Sequence, residues 1–131
     1  MDELRELIQD YRATWEKVMN DKEDVASLNR FFHVPCTMVG ADGAVSTFRA
    51  PTELQAFNTS RRDLFKKGGA VKPKLRGCDI VTLGTRCALV SANWELCRAD
   101  DSVERAWRHY YNLVRTSDGW KVLLSTFAVG S

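Results

Sequence analysis

Residues 85–98, TRCALVSANWELCR, and residues 103–115, VERAWRHYYNLVR, decide the fold of this chain. Both stretches alternate in a way that suits paired β-strands. If Asp100 and Asp101 form a two-residue turn, Trp94 falls opposite Trp107, Ala92 opposite His109 and Val90 opposite Tyr111. That face is almost entirely apolar. The other face carries Ser91, Asn93, Glu95, Glu104, Arg108, Tyr110 and Asn112, as expected where a sheet meets water or a polar partner. A register slipped by one residue would mix the two sets. At the next turn, Thr116 to Gly119, an even-length loop places Val122 and Leu124 beside Leu113 and Tyr111. A three-residue loop would set them beside Asn112 and Tyr110, so the pattern favours the even one.

Upstream, Leu4, Leu7, Ile8, Tyr11, Trp15, Val18 and Met19 recur at helical spacing and predict a long amphipathic first helix. The pattern breaks at Asn20 and Asp21. A second, short helix through Val25 and Leu28 follows, opened by Asp21 and Asp24 and closed near Phe31 or Phe32, before Pro35. Cys36 to Val39 and Val45 to Phe48 are strand candidates flanking a tight turn at Gly40-Ala41-Asp42-Gly43. Pro51 and Glu53 suit the start of a third helix, with Leu54, Phe57, Leu64 and Phe65 as its buried stripe and Lys66-Lys67-Gly68 at its end. Strands then run over Val71 to Thr82, Thr85 to Arg98, Val103 to Arg115 and Trp120 to Ala128. Helices first and a meander afterwards is an α+β order: a strongly curved antiparallel sheet capped by a long N-terminal helix and two shorter ones.

At 131 residues the chain has the length of one domain, 1–131, with no repeats, low-complexity segments or linkers. Nineteen basic and seventeen acidic residues leave a net charge of +2, which demands no polyanionic partner. Arg61, Arg62, Lys66, Lys67, Lys72, Lys74 and Arg76 gather in one stretch. They read as solvated helix-end charges without a nucleic-acid recognition motif. Cys36, Cys78, Cys87 and Cys97 show no metal-ligand spacing with His33 or His109, so they read as buried thiols and no metal is expected. Asp2, Glu3, Arg5 and Glu6 exclude the apolar core of a signal peptide, and no run is long enough to span a membrane. A reducing cytoplasm is the expected compartment.

The order of helix, short helix, short hairpin, helix and long antiparallel strands ending in Asp118-Gly119-Trp120-Lys121-Val122 resembles the nuclear transport factor 2-like superfamily. That superfamily includes the polyketide cyclase (SnoaL-like) and ketosteroid isomerase branches. The run Phe32-His33-Val34-Pro35-Cys36 looks like that of a bacterial subgroup with an F-H-x-P-C sequence after the second helix. The resemblance implies a cone whose concave sheet is roofed by the first helix, with homodimerisation through the outer sheet face. It also maps the isomerase's helix tyrosine onto Tyr11. The isomerase's general base falls near Gly40, with Asp42 reachable only by a shifted alignment, and its buried acid falls near His109 or Tyr110. Lacking a base and a paired acid, the chain is not expected to run steroid isomerase chemistry.

His109 is the sharpest catalytic candidate, because an inward imidazole between Trp107 and Tyr111 can exchange protons near neutral pH. The competing reading is a buried neutral histidine satisfied by a hydroxyl or backbone partner. Tyr111 and Tyr11 are the matching hydrogen-bond donors to a substrate oxygen. Trp15, Trp94 and Trp107 are expected to line an apolar pocket, joined by Phe57, Met38 and Leu124. His33 is expected either to cap helix carbonyls or to share the pocket with Cys36. Three functions follow: a binding protein for a small hydrophobic molecule, a cofactor-independent isomerase, cyclase or hydratase using His109, or a dimerisation or protein-interaction module. None calls for a cofactor, nucleic acid or membrane.

Overall fold

The computed structural model describes residues 2–128. Helix α1 (Asp2–Met19) leads through a 3-10 helix (Val25–Phe31) into β1 (Phe32–Val39), β2 (Val45–Phe48) and α2 (Pro51–Lys67). Strands β3 (Lys72–Leu83), β4 (Cys87–Cys97), β5 (Val103–Thr116) and β6 (Gly119–Ala128) complete the chain. All six strands share one open, curved sheet in the order β2-β1-β6-β5-β4-β3, so the fold is α+β. Neighbouring strands run antiparallel except β1 and β6, which are parallel. This single parallel junction departs from the wholly antiparallel sheet expected above.

Each helix forms for local reasons. The apolar side of α1 buries Leu4, Ile8, Trp15, Val18 and Met19 over the concave face of the sheet. Asp24 caps the 3-10 helix by accepting from the Ala26 N–H at 2.8 Å. Pro51 stands in the first turn of α2, where its missing N–H is harmless. That helix stops at Gly68-Gly69, and Gly69 supplies the left-handed residue with φ +86°.

The decisive β4–β5 register is as read: Trp94 pairs with Trp107, Ala92 with His109 and Val90 with Tyr111. The turn that sets it is not the two-residue one. Arg98 N–H donates to the Ser102 carbonyl, which closes a three-residue loop with Asp101 in the left-handed region at φ 69°. The odd residue is absorbed by a bulge between Leu96 and Cys97 on β4 and Val103 to Arg105 on β5. The bulge also separates Glu104 from Glu95, which were expected to be near neighbours on the polar face. Glu104 instead forks onto Arg105, at 2.6 and 2.9 Å, while Glu95 meets Arg76 at 3.1 Å.

A second bulge corrects a further expectation. The β5–β6 loop has the even length expected and Leu113 faces Val122, but the register then shifts so that Asn112 pairs with Leu124, Tyr111 with Ser125 and His109 with Phe127. Leu123 is the extra residue. Leu124 therefore lies on the outer side with Asn112, and Ser125 and Phe127 take the inward places. Strand β1 also begins earlier than Cys36: Phe32 pairs with Val122, and the ladder resumes only at Thr37 opposite Leu124. Pro35, which has no N–H to donate, falls in the gap. On α2, Leu64 is 49 % exposed, and the buried stripe runs through Leu54, Asn58 and Phe65.

Two apolar clusters result. One fills the curve of the sheet around Phe31, Leu54, Val90, Trp94 and Tyr111. The other joins the C-terminal ends of both long helices to Leu96 through Trp15, Val18, Leu28 and Phe65. Among the described residues, no helix is long and apolar enough to cross a membrane. Truncating fully buried Leu96 to Ala should lower the unfolding free energy by roughly 2–5 kcal/mol, whereas Leu123→Ser at the bulge should stay within about 0.5 kcal/mol. Urea titration of both variants checks this, and a large loss at Leu123 would contradict the bulged register.

Candidate functional site

Alternation on β4 and β5 turns Trp94, Trp107, His109 and Tyr111 toward α1, whose Tyr11 and Trp15 come down from above. These six residues line one cavity of ≈ 30 Å³, together with Met19, Arg61 and Phe65. Their rings fill most of the space. Tyr11 meets Trp94 and Tyr111 edge-on at 6.2 and 6.0 Å, and Trp107 stacks on Trp94 at 6.4 Å and on Phe127 at 5.2 Å.

The polar atoms of this wall are ordered by what each group can donate. An indole N–H only donates. Trp107 Nε1 lies 2.9 Å from His109 Nδ1, so that nitrogen accepts. In the neutral ring the proton is then on Nε2, which donates to Ser125 Oγ. Both ring nitrogens are taken, and His109 is 3 % exposed. Burial, with the nearby Arg61 charge, lowers its pKa to about 3. His109 is therefore a satisfied neutral histidine near pH 7, with its one lone pair occupied by Trp107.

Tyr111 accepts from Trp94 Nε1 at 2.9 Å, and burial raises its pKa well above the ordinary phenol value. Burial raises Tyr11 as well, so both phenols keep their protons. Neither phenol donates to an acceptor among the described residues.

A second cleft of ≈ 160 Å³ lies beyond Arg61 and Phe127. Met38, Phe57, Ser125 and Phe127 form its walls, and exposed Asp42 stands at its edge, holding the Ala44 N–H at 2.9 Å. Arg61 borders both spaces. It occupies the buried stripe of α2, seven residues after Leu54 and four before Phe65, and is only half-buried. Its Cζ lies 4.2, 5.2 and 6.0 Å from the ring centroids of Phe127, Phe57 and Phe65. No acceptor or carboxylate pairs with it among the described residues, and desolvation pulls its pKa below the ordinary guanidinium value.

The expected site residues thus divide. Tyr11, Trp15, Trp94, Trp107, His109 and Tyr111 meet in one cavity, and Met38 and Phe57 line its neighbour. Cys36 is buried in the core, where desolvation raises its pKa and keeps it a thiol. His33 stays apart: its Nδ1 is 2.9 Å from the Pro35 carbonyl within β1, where it neither caps a helix nor joins the pocket. Leu124 faces away. All four cysteines are free, Cys36 and Cys97 buried and Cys78 and Cys87 half-buried. No group of three His, Cys, Asp or Glu side chains that could hold a metal occurs among the described residues. Arg61, Ser125 and Phe127 were missed. The signal for Arg61 was its helical spacing between Leu54 and Phe65; Ser125 and Phe127 depend on a bulge that no glycine or proline announces.

This curved sheet roofed by a helix, with an aromatic cavity beneath, is the architecture of an NTF2-like protein. A family model described as NTF2-like protein (DUF6841) matches residues 2–128, and the chain belongs to that family. A protein of unknown function from Pectobacterium atrosepticum, of the DUF3225 family, superposes with a TM-score of 0.68 at 19 % identity, covering 100 % of this chain and 91 % of that one. An NTF2-like protein with a cystatin-like fold from Novosphingobium aromaticivorans gives 0.71 at 18 % identity, covering 99 % and 82 %. A protein from Shewanella frigidimarina provisionally described as a ketosteroid isomerase gives 0.67 at 12 % identity, covering 94 % and 92 %. At these identities the likeness is one of fold. No curated protein matches the sequence.

The histidine generates a pH dependence with a definite sign. Between its folded pKa of about 3 and the unfolded value of 6.5 the unfolded chain binds the extra proton, so stability falls as pH drops through that window. The slope approaches about 1.4 kcal/mol per pH unit below pH 6. Urea unfolding from pH 7 to 4 should show this loss, and His109→Gln should flatten it; equal slopes would refute a neutral buried ring.

Proposed function

We propose that this protein is a cytoplasmic small-molecule-binding protein that holds a compact hydrophobic guest in the cleft between α2 and the inner face of β1 and β6. The carrying observation is the ≈ 160 Å³ space walled by Met38, Phe57 and Phe127 and bordered by a guanidinium without a partner among the described residues. A cavity of roughly 150 Å³ is large enough to admit benzene. The guest sits beside the aromatic cavity and does not displace its rings.

Binding is preferred to turnover because His109 has no free lone pair and its conjugate acid is not populated near neutral pH. The isomerase, cyclase or hydratase alternative needs that ring as an acid–base group. The same reading includes a homodimer through the outer sheet face, where Arg108 reaches Asn93 at 3.1 Å and Ser91 at 2.8 Å.

Trp107 stacks on Phe127, a wall of the cleft, so a bound aromatic guest should change tryptophan emission. Met38→Trp should fill the cleft and abolish the change while the protein remains folded by circular dichroism. An unaltered response in that variant would place binding elsewhere. Native mass spectrometry of the purified protein should reveal a retained compound of one-ring size. Sedimentation at micromolar concentration should give a dimer, and a monomer would remove the outer-face pairing.

A further inference from the structure

Two side chains bordering the cleft, Ser125 and Arg61, carry donors with no acceptor among the described residues. Since His109 Nε2 donates to Ser125 Oγ, the Ser125 hydroxyl accepts one hydrogen bond from the imidazole and keeps its own proton to donate. It has no acceptor among the described residues. Arg61, on the opposite wall, offers the guanidinium fork with none of its N–H groups engaged by a described residue. The centroids of three phenyl rings lie 4.2–6.0 Å from that guanidinium carbon, and no described acceptor takes its N–H groups.

No carboxylate among the described residues pairs with Arg61. Tyr11 and Tyr111 are neutral phenols, His109 is a neutral imidazole, and nearby Arg105 is already paired with Glu104. The carboxylate among the described residues that line the cleft is exposed Asp42, at the rim, with one oxygen already bonded to backbone. A guest with one anionic group satisfies Arg61, whereas a second negative charge would meet Asp42.

Deepening the pocket reading, on which this rests, we propose that the cleft selects a monocarboxylate carrying a single aromatic ring, its carboxylate bridging Arg61 and Ser125 and its ring lying against Phe57, Met38 and Phe127. The planar fork pairs with both carboxylate oxygens, and the serine hydroxyl supplies a third donor. The ring replaces water along an apolar wall.

Isothermal titration with benzoate, benzamide and phthalate tests this on the unmodified protein. Benzoate should bind roughly tenfold or more tighter than benzamide, the size expected for charge-assisted hydrogen bonds, and phthalate should bind more weakly than benzoate. Arg61→Met should erase the preference for benzoate while leaving benzamide binding, and Arg61→Lys should retain part of it. Equal affinities for benzoate and benzamide would overturn the anion inference and leave the pocket standing. Binding of neither ligand would overturn both.

Discussion

Cross-strand pairing of Trp94 with Trp107, Ala92 with His109 and Val90 with Tyr111 is the constraint on which the rest of the structure depends. It decides which rings enter the concavity, and through them where α1 can rest. Small Ala92, fully buried opposite His109, leaves room for the imidazole between two larger neighbours. Two bulges keep this alignment productive. The one near Glu104 cancels the odd length of the Asp100 turn, and the one at Leu123 turns Ser125 toward His109. A bulge that re-aims a side chain next to a site is a recurrent use of the extra residue.

From that alignment the hydrogen bonds follow in one direction. Trp107 can only donate, so His109 must accept on Nδ1 and donate on Nε2, and Ser125 is left with a proton for something else. Trp94 imposes the same polarity on Tyr111. The indoles therefore do more than pack. They fix the donor sense of the groups behind them, His109 and Tyr111.

The architecture was legible because its signals are periodic. Alternation in β4 and β5 and the helical spacing of α1 place Tyr11, Trp15, Trp94, Trp107, His109 and Tyr111 together with no knowledge of the sheet's curvature. Leu124 was misplaced, and Ser125 and Phe127 were missed, because a bulge without glycine or proline leaves no local mark, and one extra residue reverses the faces of everything after it. The turn at Asp100 had the wrong length yet the right register, since a second irregularity compensated for the first. Arg61 was hidden by its company: Arg62, Lys66 and Lys67 are ordinary surface charges, and a basic run masks the one member that lies on the apolar stripe. The parallel β1–β6 pairing joins strands far apart in sequence, which no short-range pattern reports.

Arg61 also bears on why the site is built as it is. A guanidinium in apolar surroundings without a partner carries a desolvation cost, and cation–π contact with Phe127 and Phe57 recovers only about 0.5–2 kcal/mol. A residue chosen for stability at this stripe position would be apolar. Its charge also opposes protonation of His109, which preserves the imidazole Nδ1 as acceptor of the Trp107 N–H. The guanidinium and the serine hydroxyl border the same cleft, so two donors from different elements face one guest there. Fold similarity below 20 % identity carries no activity with it, and the chemistry has to be read from this pair of donors.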